Sequence, residues 1–504
     1  MNGARAVIRT LVDAGVEVCF ANPGTSEMHF VAALDDVPQM RAVLTLFEGV
    51  ATGAADGYAR MAGKPAATLL HLGPGLGNGW ANLHNARRGR APLVNVVGDH
   101  ALTHKRLDAP LESDLDALAG AVGWWRRSLT TAHVGDDVAD AVAAARRGQV
   151  ATLVLPADVS WSEGGAVGVA APDRPAGTVA VPDLPLGPDT VLFLGGDALD
   201  AEALLAAARV AAGTGARLMA ETFPARMARG AGLPDVPKLP YPPGPALAAL
   251  ADVAHLVLVG APAPVAFFAY PDTPGSFVPE GCTVHVLTEP GESSLAALTE
   301  LADRIGADPV LAPASVLTVP DRALDPQVLA AVVGAVLPEQ AIVVDESLTS
   351  GFGLFPATAG APRHDVLSLT GGAIGDGLPM AVGAAVACPD RPVLAVQADG
   401  SAMYTLQALW TMAREQLDVT VLVCDNGAYA ILAGELENVG ATAGGERAGR
   451  LLDLGSPALD FVSLAAGMGV PGVRVTTGPE LAEALRHAFA EPGPHLVDAV
   501  LRRP

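Results

Sequence analysis

The sequence of 504 residues contains little cysteine, few aromatic side chains and few positive charges. Its four cysteines, Cys19, Cys282, Cys388 and Cys424, are far apart and include no CxxC pair. This spacing excludes a cysteine-based zinc site and a disulfide framework, and it is typical of reduced thiols in the cytoplasm.

Lysine and arginine number only 31 against 54 aspartates and glutamates, so the formal net charge is −23. Nucleic acid and anionic membrane surfaces would be repelled, and neither is expected as a partner. The segment from Met1 to Val12 has no long apolar core and no cleavage site, which predicts a folded amphipathic helix and not a signal peptide. No uncharged apolar run reaches the roughly 18 residues of a membrane span. We therefore expect a cytoplasmic protein.

Hydrophobic residues make up 50% of the chain and charged residues 17%, which is ample for sizeable cores. The length suits about three domains. Two stretches rich in glycine and proline, residues 163–185 and 307–326, read as linkers. They predict domains at residues 1–162, 188–306 and 327–504.

Each predicted domain alternates short β-branched runs with longer alanine-rich stretches of helical character. Such alternation predicts an α/β protein with three doubly wound parallel sheets. Ligands of parallel sheets bind beyond the carboxyl ends of the strands. The predicted strands include VEVCFANPG, AATLLHLGPG, APLVNVVGD, VATLVLPADV, TVLFLGG, HLVLVGA, AIVVDES, RPVLAVQADG and VTVLVCDNG.

Two strand ends in the last domain carry hard oxygen ligands. RPVLAVQ ends at Ala398-Asp399-Gly400-Ser401, and VTVLVC ends before Asn426, 27 positions after Asp399. A carboxylate and an amide oxygen at neighbouring strand ends suit Mg²⁺. Gly400 would let the backbone approach a phosphate, and Ser401 would donate at the start of the following helix.

The stretch from ADGSAMY to CDNGAYAIL resembles the signature of the thiamine-diphosphate (ThDP) enzyme family, which includes acetolactate synthase, benzoylformate decarboxylase and pyruvate decarboxylase. The family motif is GDG followed at about this spacing by NN. The resemblance implies that Asp399, Asn426 and the carbonyl of Ala428 hold Mg²⁺. Ala398 replaces the first glycine of the motif and Asp425 replaces its first asparagine; neither change removes a ligand oxygen.

Glu48, in LTLFEGVATGAADGYARMAG, lies in the flanks that the family places around its catalytic glutamate. The resemblance implies that Glu48 hydrogen-bonds ring nitrogen N1′ of the cofactor's aminopyrimidine. That bond favours the imino form, whose nitrogen takes the proton from thiazolium C2. Read from the residues alone, Glu48 could equally be a solvated glutamate at a helix start.

The run Gly371 to Pro379, GGAIGDGLP, is a further cofactor element by resemblance. It implies that the carbonyl of Gly372 receives the 4′-amino group and that Ile374 bends the cofactor into a V, which brings the amino group close to C2. The run could be mistaken for a dinucleotide fingerprint, but it lies far into the chain, which argues against that interpretation. Other residues expected to contact the cofactor are Ser347, Thr349, Gly400, Ser401, Ala428 and Tyr429.

Substrate-side candidates follow strands in the first domain. Thr25, in the turn NPGTSE, and His71, in LLHLGPGLGNG, resemble the hydroxyl and histidine that face the substrate in benzoylformate decarboxylase. The glycine-rich loop expected after His71 resembles acetolactate synthase. His100 and His104 lie after the next strand and are second-rank candidates.

The last two predicted domains supply one departure from benzoylformate decarboxylase and one further substrate-side residue. In APAPVAFFAYPDTPG, Phe268 falls where benzoylformate decarboxylase has its second catalytic histidine. Glu435, on a C-terminal helix, would make the pocket more polar than a pocket for an aromatic ring. From the residues alone, His71 could be a structural residue, His100 and His104 could be solvated loop residues, and Glu435 could be a surface charge.

The resemblance covers nearly the whole chain and implies pyrimidine-binding, central and diphosphate-binding domains in that order. It also implies a homodimer or homotetramer in which Glu48 of one subunit reaches the cofactor of another. The central domain shows no nucleotide fingerprint, so FAD is not expected.

The expected reaction cleaves the bond next to the carbonyl of a 2-oxo acid and joins the product to a second carbonyl, as in acetolactate synthase. Simple decarboxylation to an aldehyde is the alternative within the family. Two readings from other classes remain open: a nicotinamide-dependent oxidoreductase and a catalytically silent ThDP-binding protein.

Overall fold

The chain is described here from a computed structural model. The first predicted linker and the last predicted domain each contain a few residues outside the described part. The described residues are 1–172, 180–315, 317–441 and 445–502.

The first unit is a sheet of six parallel strands with helices on both faces. The strands are β1 (Val18–Ala21), β2 (Arg41–Leu44), β3 (Ala66–His71), β4 (Leu93–Asp99), β5 (Trp124–Arg127) and β6 (Val150–Pro156). They lie in the order β2-β1-β3-β4-β6-β5. Every residue of β4 and β6 is buried, as expected for central strands covered on both faces. The helices are α1 (Gly3–Asp13), α2 (Met28–Ala33), α3 (Glu48–Ala62), α4 (Leu72–Arg88), α5 (Leu115–Val122), α6 (Val134–Ala145) and α7 (Ala157–Trp161).

The central unit contains a smaller parallel sheet. This part of the chain forms five strands: β7 (Thr190–Leu194), β8 (Arg217–Ala220), β9 (Met227–Arg229), β10 (His255–Val259) and β11 (Thr283–Thr288). All of them except β9 form the sheet, in the order β11-β10-β7-β8. The helices are α8 (Ala201–Thr214), α9 (Pro243–Leu250) and α10 (Ser294–Ile305).

The third unit is a sheet of seven strands. Six come from the C-terminal part of the chain: β12 (Ile342–Glu346), β13 (His364–Ser368), β14 (Val393–Ala398), β15 (Val419–Asp425), β16 (Gly472–Val475) and β17 (His495–Val500). The order is β16-β17-β15-β14-β12-β13-β9, and β9 pairs antiparallel with β13. The helices are α11 (Pro326–Val336), α12 (Leu354–Ala357), α13 (Gly377–Ala387), α14 (Asp399–Ala402), α15 (Ala408–Glu415), α16 (Ala430–Asn438), α17 (Glu446–Leu452), α18 (Phe461–Gly467) and α19 (Gly478–Ala490).

The architecture confirms the predicted α/β class with three sheets dominated by parallel pairing. The domain boundaries stay predictions, and β9, from the predicted central domain, lies in the third sheet. Within the described residues, no helix combines the length and the apolar character that a membrane crossing requires.

The expected glycine-rich loop after His71 is wrong, because residues 72–88 form α4. Its glycines serve close packing and not flexibility. A Cβ added at Gly79 would lie 2.7 Å from Thr52 Cγ2, and one at Gly73 would lie 1.8 Å from Ser113 Oγ. Tertiary packing therefore overrides the weak helix propensity of GPGLGNG.

The first and third sheets share one hydrophobic core, in which α3 and α13 pack against each other and their backbones come into contact at two glycines. A Cβ added at Gly57 would lie 2.1 Å from the carbonyl oxygen of Met380. One added at Gly383 would lie 1.9 Å from the carbonyl oxygen of Ala54. Both helices must therefore carry glycine where their backbones meet.

Gly383→Ala should lower the free energy of unfolding by about 2 kcal/mol or more, because the obstructing atom is backbone and cannot rotate away. Gly434→Ala, at an exposed position of α16 with no atom within 4 Å of the added Cβ, is the matched control and should gain up to about 1 kcal/mol. Thermal unfolding of both variants checks this. Equal midpoints would show that the α3–α13 contact is looser than described.

Candidate active site

Two predicted metal ligands lie side by side at the carboxyl ends of neighbouring strands. Strands β14 and β15 pair in parallel, and Asp399 and Asn426 follow their ends. Asp399 accepts the backbone N–H of Gly400 at 2.8 Å and of Gly427 at 2.7 Å. Asn426 Oδ1 accepts the N–H of Ala428 at 2.9 Å. Burial raises the pKa of Asp399, and its backbone hydrogen bonds oppose that shift.

A small cleft opens between these two strand ends. Ser401 lies within it, and its hydroxyl is buried with no hydrogen-bond partner among the described residues, which fits a group that waits for a phosphate oxygen. The Tyr429 ring covers Gly400, where an added Cβ would lie 2.4 Å from it. Ser347 instead donates its hydroxyl hydrogen to Asp345. The predicted residues that line the cleft are Thr349, Asp399, Gly400, Ser401, Asn426, Ala428 and Tyr429.

The loop of residues 371–377, which we call the cofactor loop, is held by side chains of α4. Asn85 Nδ2 donates to the carbonyl of Ala373 at 2.7 Å, and its Oδ1 accepts the N–H of Ala373 at 3.2 Å. Asn82 Nδ2 bridges the carbonyls of Gly49, at 2.8 Å, and Gly375, at 3.2 Å. The cofactor loop therefore lies beside the start of α3, the helix that begins with Glu48.

Glu48 is the first residue of α3 and is only 7% exposed. Asn78 Nδ2, on α4, donates to its carboxylate at 3.0 Å. A buried carboxylate at a helix N-terminus is stabilised by the helix dipole. The reading of Glu48 as a solvated residue does not fit this burial.

Arg60, in the DGYAR segment of α3, connects all three units. Its Nε and Nη2 donate to both oxygens of Asp56, at 2.7 and 2.5 Å. Its Nη1 donates to the carbonyl of Ser368 at 2.8 Å and to that of Ala225 at 3.2 Å. Nη2 also reaches Thr370 Oγ1 at 3.1 Å. Thr370 directly precedes the cofactor loop.

Two buried carboxyl groups lie beneath the cofactor loop. Glu346, at the end of β12, accepts the N–H of Gly375 at 2.6 Å and of Gly377 at 2.7 Å. Burial raises the pKa of Glu346 to about 7. Asp376 is fully buried, and burial together with the charge of Asp56 raises its pKa well above the ordinary range.

His71 ends β3 and is paired with a carboxylate from the NPGTSE turn. Its Nδ1 lies 2.8 Å from Glu27 Oε2, which also accepts the N–H of Gly24 at 2.7 Å. The His71 ring covers Gly24, where an added Cβ would lie 2.3 Å from it. Thr25, the first residue of the short turn Thr25–Glu27, is exposed beside this pair. Burial raises the pKa of Glu27, and the neighbouring His71 opposes the shift.

The second-rank histidines lie after β4, next to β3. The rings of His100 and His104 are 5.4 Å apart between centroids. The N–H of His100 donates to Asp99 at 2.8 Å, and Asp99 is also paired with Lys105. The histidines thus border an ion-pair network, and no described contact joins them to His71.

Aromatic rings of the central unit cover the cofactor loop. A Cβ added at Gly372, whose φ is +75°, would lie 2.7 Å from the Phe267 ring. Phe268 packs on Phe267 at 5.6 Å between centroids, and Phe223 and Tyr241 complete the cluster. Glu435, on α16, is close enough to Tyr241 and Tyr270 to raise the pKa of both hydroxyl groups, in addition to burial.

Two family models match the chain: the N-terminal TPP binding domain of thiamine pyrophosphate enzymes over residues 1–119, and the C-terminal TPP binding domain over residues 353–499. The chain is 60% identical to a Mycobacterium tuberculosis protein provisionally named acetolactate synthase large subunit IlvX, over 99% of both chains.

The chain belongs to the ThDP-dependent enzyme family.

Two further ThDP enzymes resemble the chain over almost its full length. Benzoylformate decarboxylase of Pseudomonas aeruginosa is 30% identical over 96% of both chains. The structure of the ThDP-dependent 4-hydroxybenzoylformate decarboxylase of Rhodococcus jostii RHA1 superposes with a TM-score of 0.83, at 25% identity and full coverage of both chains. The expected family is confirmed, and with it an enzyme.

Several residues of this ThDP enzyme's site were not found by sequence reasoning. Glu27 stands in the NPGTSE turn without a predicted role, although a carboxylate three positions after Gly24 is typical of a capping pair. Asp376 stands in GGAIGDGLP, and the resemblance implies no role for it. Asn82, Asn85 and Glu346 gave no signal, because their partners are backbone atoms distant in sequence.

The raised pKa of Glu346 predicts a pH-dependent stability. The folded protein binds this proton more tightly than the unfolded chain, whose glutamates titrate near 4.5. Wild-type stability should therefore fall, relative to Glu346→Gln, by roughly 3 kcal/mol as pH rises from that value to about 7. Urea unfolding of both proteins across this window measures the difference. Glu339→Gln, at an exposed site, is the control, and parallel curves for Glu346→Gln and wild type would contradict the shift.

Proposed function

We propose that the protein cleaves the carbon–carbon bond next to the carbonyl of a 2-oxo acid, with ThDP and Mg²⁺, and joins the product to a second carbonyl. One observation carries the choice of carboligation: the Phe267 ring covers Gly372, and Phe268, which by the resemblance stands where benzoylformate decarboxylase has its second catalytic histidine, packs on it. This aromatic side of the site provides no proton donor to the reacting carbon, and the histidine that contacts the cofactor loop, His84, is engaged with the carbonyl of Gly371 at 3.2 Å. Capture by a second carbonyl is then favoured over release as an aldehyde.

The metal and the diphosphate would be held at the carboxyl ends of β14 and β15. Asp399 and Asn426 offer hard oxygens there, and the carbonyl of Ala428 lies beside them. The partnerless hydroxyl of Ser401 and that of Thr349 would donate to phosphate oxygens. When bound, ThDP supplies the nucleophilic carbon and the electron sink of the reaction.

Glu48 would hold a proton on the aminopyrimidine ring. It lies buried at the start of α3, where Asn78 orients the carboxyl group. Gly372 and Ile374 would position the same ring, since hydrogen bonds from α4 fix their loop. His71, oriented by Glu27, would bind the substrate carboxylate or move a proton, with Thr25 beside it. His100, His104 and Glu435 would border the substrate at greater distance.

Simple decarboxylation to an aldehyde is the second candidate. The His71–Glu27 pair favours it, because an oriented imidazole can deliver a proton as well as bind a carboxylate. The relatives named benzoylformate decarboxylase agree with this reading. The two candidate reactions use the same cofactor-binding residues. They differ in whether the carbon that loses CO₂ takes up a proton or bonds to a second carbonyl.

Assembly, location and further cofactors are proposed from the family resemblance. We expect a cytoplasmic homodimer or homotetramer in which Glu48 of one subunit serves the cofactor of another. In the isolated chain, Asn82 places the start of α3 beside the chain's own cofactor loop.

FAD is not expected, and no metal-binding group of three or more His, Cys, Asp or Glu side chains occurs in the described part of the chain.

Glu48→Gln should reduce CO₂ release from 2-oxo acids by at least about 100-fold, because the amide cannot hold the proton at N1′. ThDP affinity and the melting temperature should stay near wild type. The assay uses ThDP, Mg²⁺ and a panel of pyruvate, 2-oxobutyrate, benzoylformate and branched-chain acids. Glu483→Gln, at an exposed site of α19, is the matched control. Full activity of Glu48→Gln would sink the assigned role, and no release by wild type from any acid would sink the proposed reaction.

Phe268→His should shift the products of the wild-type reaction from acyloin towards aldehyde, because it places a proton donor next to Phe267, the ring that covers Gly372. We expect the aldehyde fraction, measured by NMR, to rise severalfold, on the order of the gain that one positioned acid provides. Phe268→Leu keeps the apolar lining and should leave the ratio unchanged. An aldehyde fraction that rises equally in both variants would mean that pocket size, and not proton supply, sets the outcome.

A further inference from the structure

Asp376 is a buried acid for which the proposed reaction has no use. It stands in the cofactor loop directly before α13 and is fully buried. Its carboxyl group faces α3, where a Cβ added at Gly53 would lie 2.8 Å from Asp376 Oδ1. Neither oxygen of Asp376 makes a hydrogen bond of ordinary geometry within the described residues, although the Asn85 amide lies close enough to oppose the rise in its pKa. A buried group without such a bond requires an explanation.

The charged groups around Asp376 come from three elements. Asp56 and Arg60 lie on α3, Glu346 lies at the end of β12, and the amide of Asn85 faces it from α4. Arg60 gives two hydrogen bonds to Asp56. Glu346 receives two backbone N–H groups. Asn85 gives its N–H groups to Ala373 and Asn82.

These surroundings decide where a proton resides. Three carboxyl groups face one guanidinium, so full ionisation would leave two negative charges in excess in a space closed to water. Uncompensated buried charge is strongly disfavoured, and such groups take up a proton instead. Asp56 and Glu346 each receive two hydrogen bonds, which oppose the rise of their pKa values on burial. Asp376 receives at most one, from the Asn85 amide, so it is the group that stays neutral.

A neutral Asp376 has a hydrogen to donate. The carboxylate of Asp56 is close enough to share it. An O–H···O⁻ bond of this kind is short and strong. It would join the cofactor loop to α3, beside the contacts of Asn82 and Asn85. Asp56 would then be fixed from two sides, by Arg60 and by Asp376.

We infer that Asp376 is a positioning residue that keeps its proton in the folded protein and donates it to Asp56, fastening the cofactor loop to α3. The consequence for catalysis rests on the proposed role of that loop in holding ThDP. A fastened loop presents Gly372 and Ile374 in one conformation before the cofactor arrives, which lowers the entropy lost on binding.

Infrared difference spectroscopy of the cofactor-free protein tests the proton directly. At neutral and mildly alkaline pH, wild type minus Asp376→Asn should show the C=O band of a protonated carboxylic acid, shifted in D₂O. Asp365→Asn is the matched control. Asp365 is also buried, at 6% exposure against 0% for Asp376, but it is paired with Arg226 and Arg391, so its replacement should remove no such band. If Asp376→Asn removes no acid band, Asp376 is ionised and the inference is wrong.

ThDP titration, followed by tryptophan fluorescence in the presence of Mg²⁺, tests the positioning. Asp376→Asn keeps a donor towards Asp56 and should bind ThDP within about threefold of wild type, whereas Asp376→Ala should bind about tenfold more weakly, the value of one hydrogen bond. Equal binding by the alanine variant would overturn the positioning role. If wild type binds no ThDP, the proposed function fails, while the infrared result still decides where the proton is.

Discussion

The bidentate pair of Arg60 and Asp56 is the interaction on which the site depends. Arg60 is buried inside α3, and its guanidinium reaches each of the three units with hydrogen bonds of 2.5 to 3.2 Å. Removing one partner of such a buried pair leaves an uncompensated charge, which typically costs about 3–5 kcal/mol.

The site built around that pair is preorganised largely by hydrogen bonds to backbone atoms. Asn85, Asn82 and Glu346 each bond the backbone of the cofactor loop, so the loop's course is fixed independently of the side chains it displays. The catalytic candidates differ: Glu48 and His71 are each oriented by one neighbouring side chain. The structure thus fixes the course of the cofactor loop more firmly than the side chains of Glu48 and His71.

Sequence patterns predicted the strands that are long and apolar and missed those that are short or mixed. Strand β4 is buried throughout and was predicted. Strand β5, with the sequence WWRR, and β9, with only three residues, show no alternation of apolar and polar residues that would reveal a strand. The motif residues Asp399 and Asn426 were predictable, because each follows a recognisable strand and their spacing is fixed. Asp376 was not, because a buried acid looks like any turn acid until its neighbours are known.

One edge strand of the third sheet, β9, comes from the central part of the chain, which the order of the domains along the chain does not predict. It pairs with β13 as an outer strand, and Arg229 on it stacks on Phe355, with 3.4 Å between the guanidinium carbon and the ring centroid. An outer strand borrowed from the preceding unit shields the sheet from pairing with other chains. The C-terminal half expressed alone would expose β13 as a bare edge. The central and C-terminal units therefore depend on each other for folding. A chimaera that takes only one of the two units from a relative would lose the native pairing of β9 with β13.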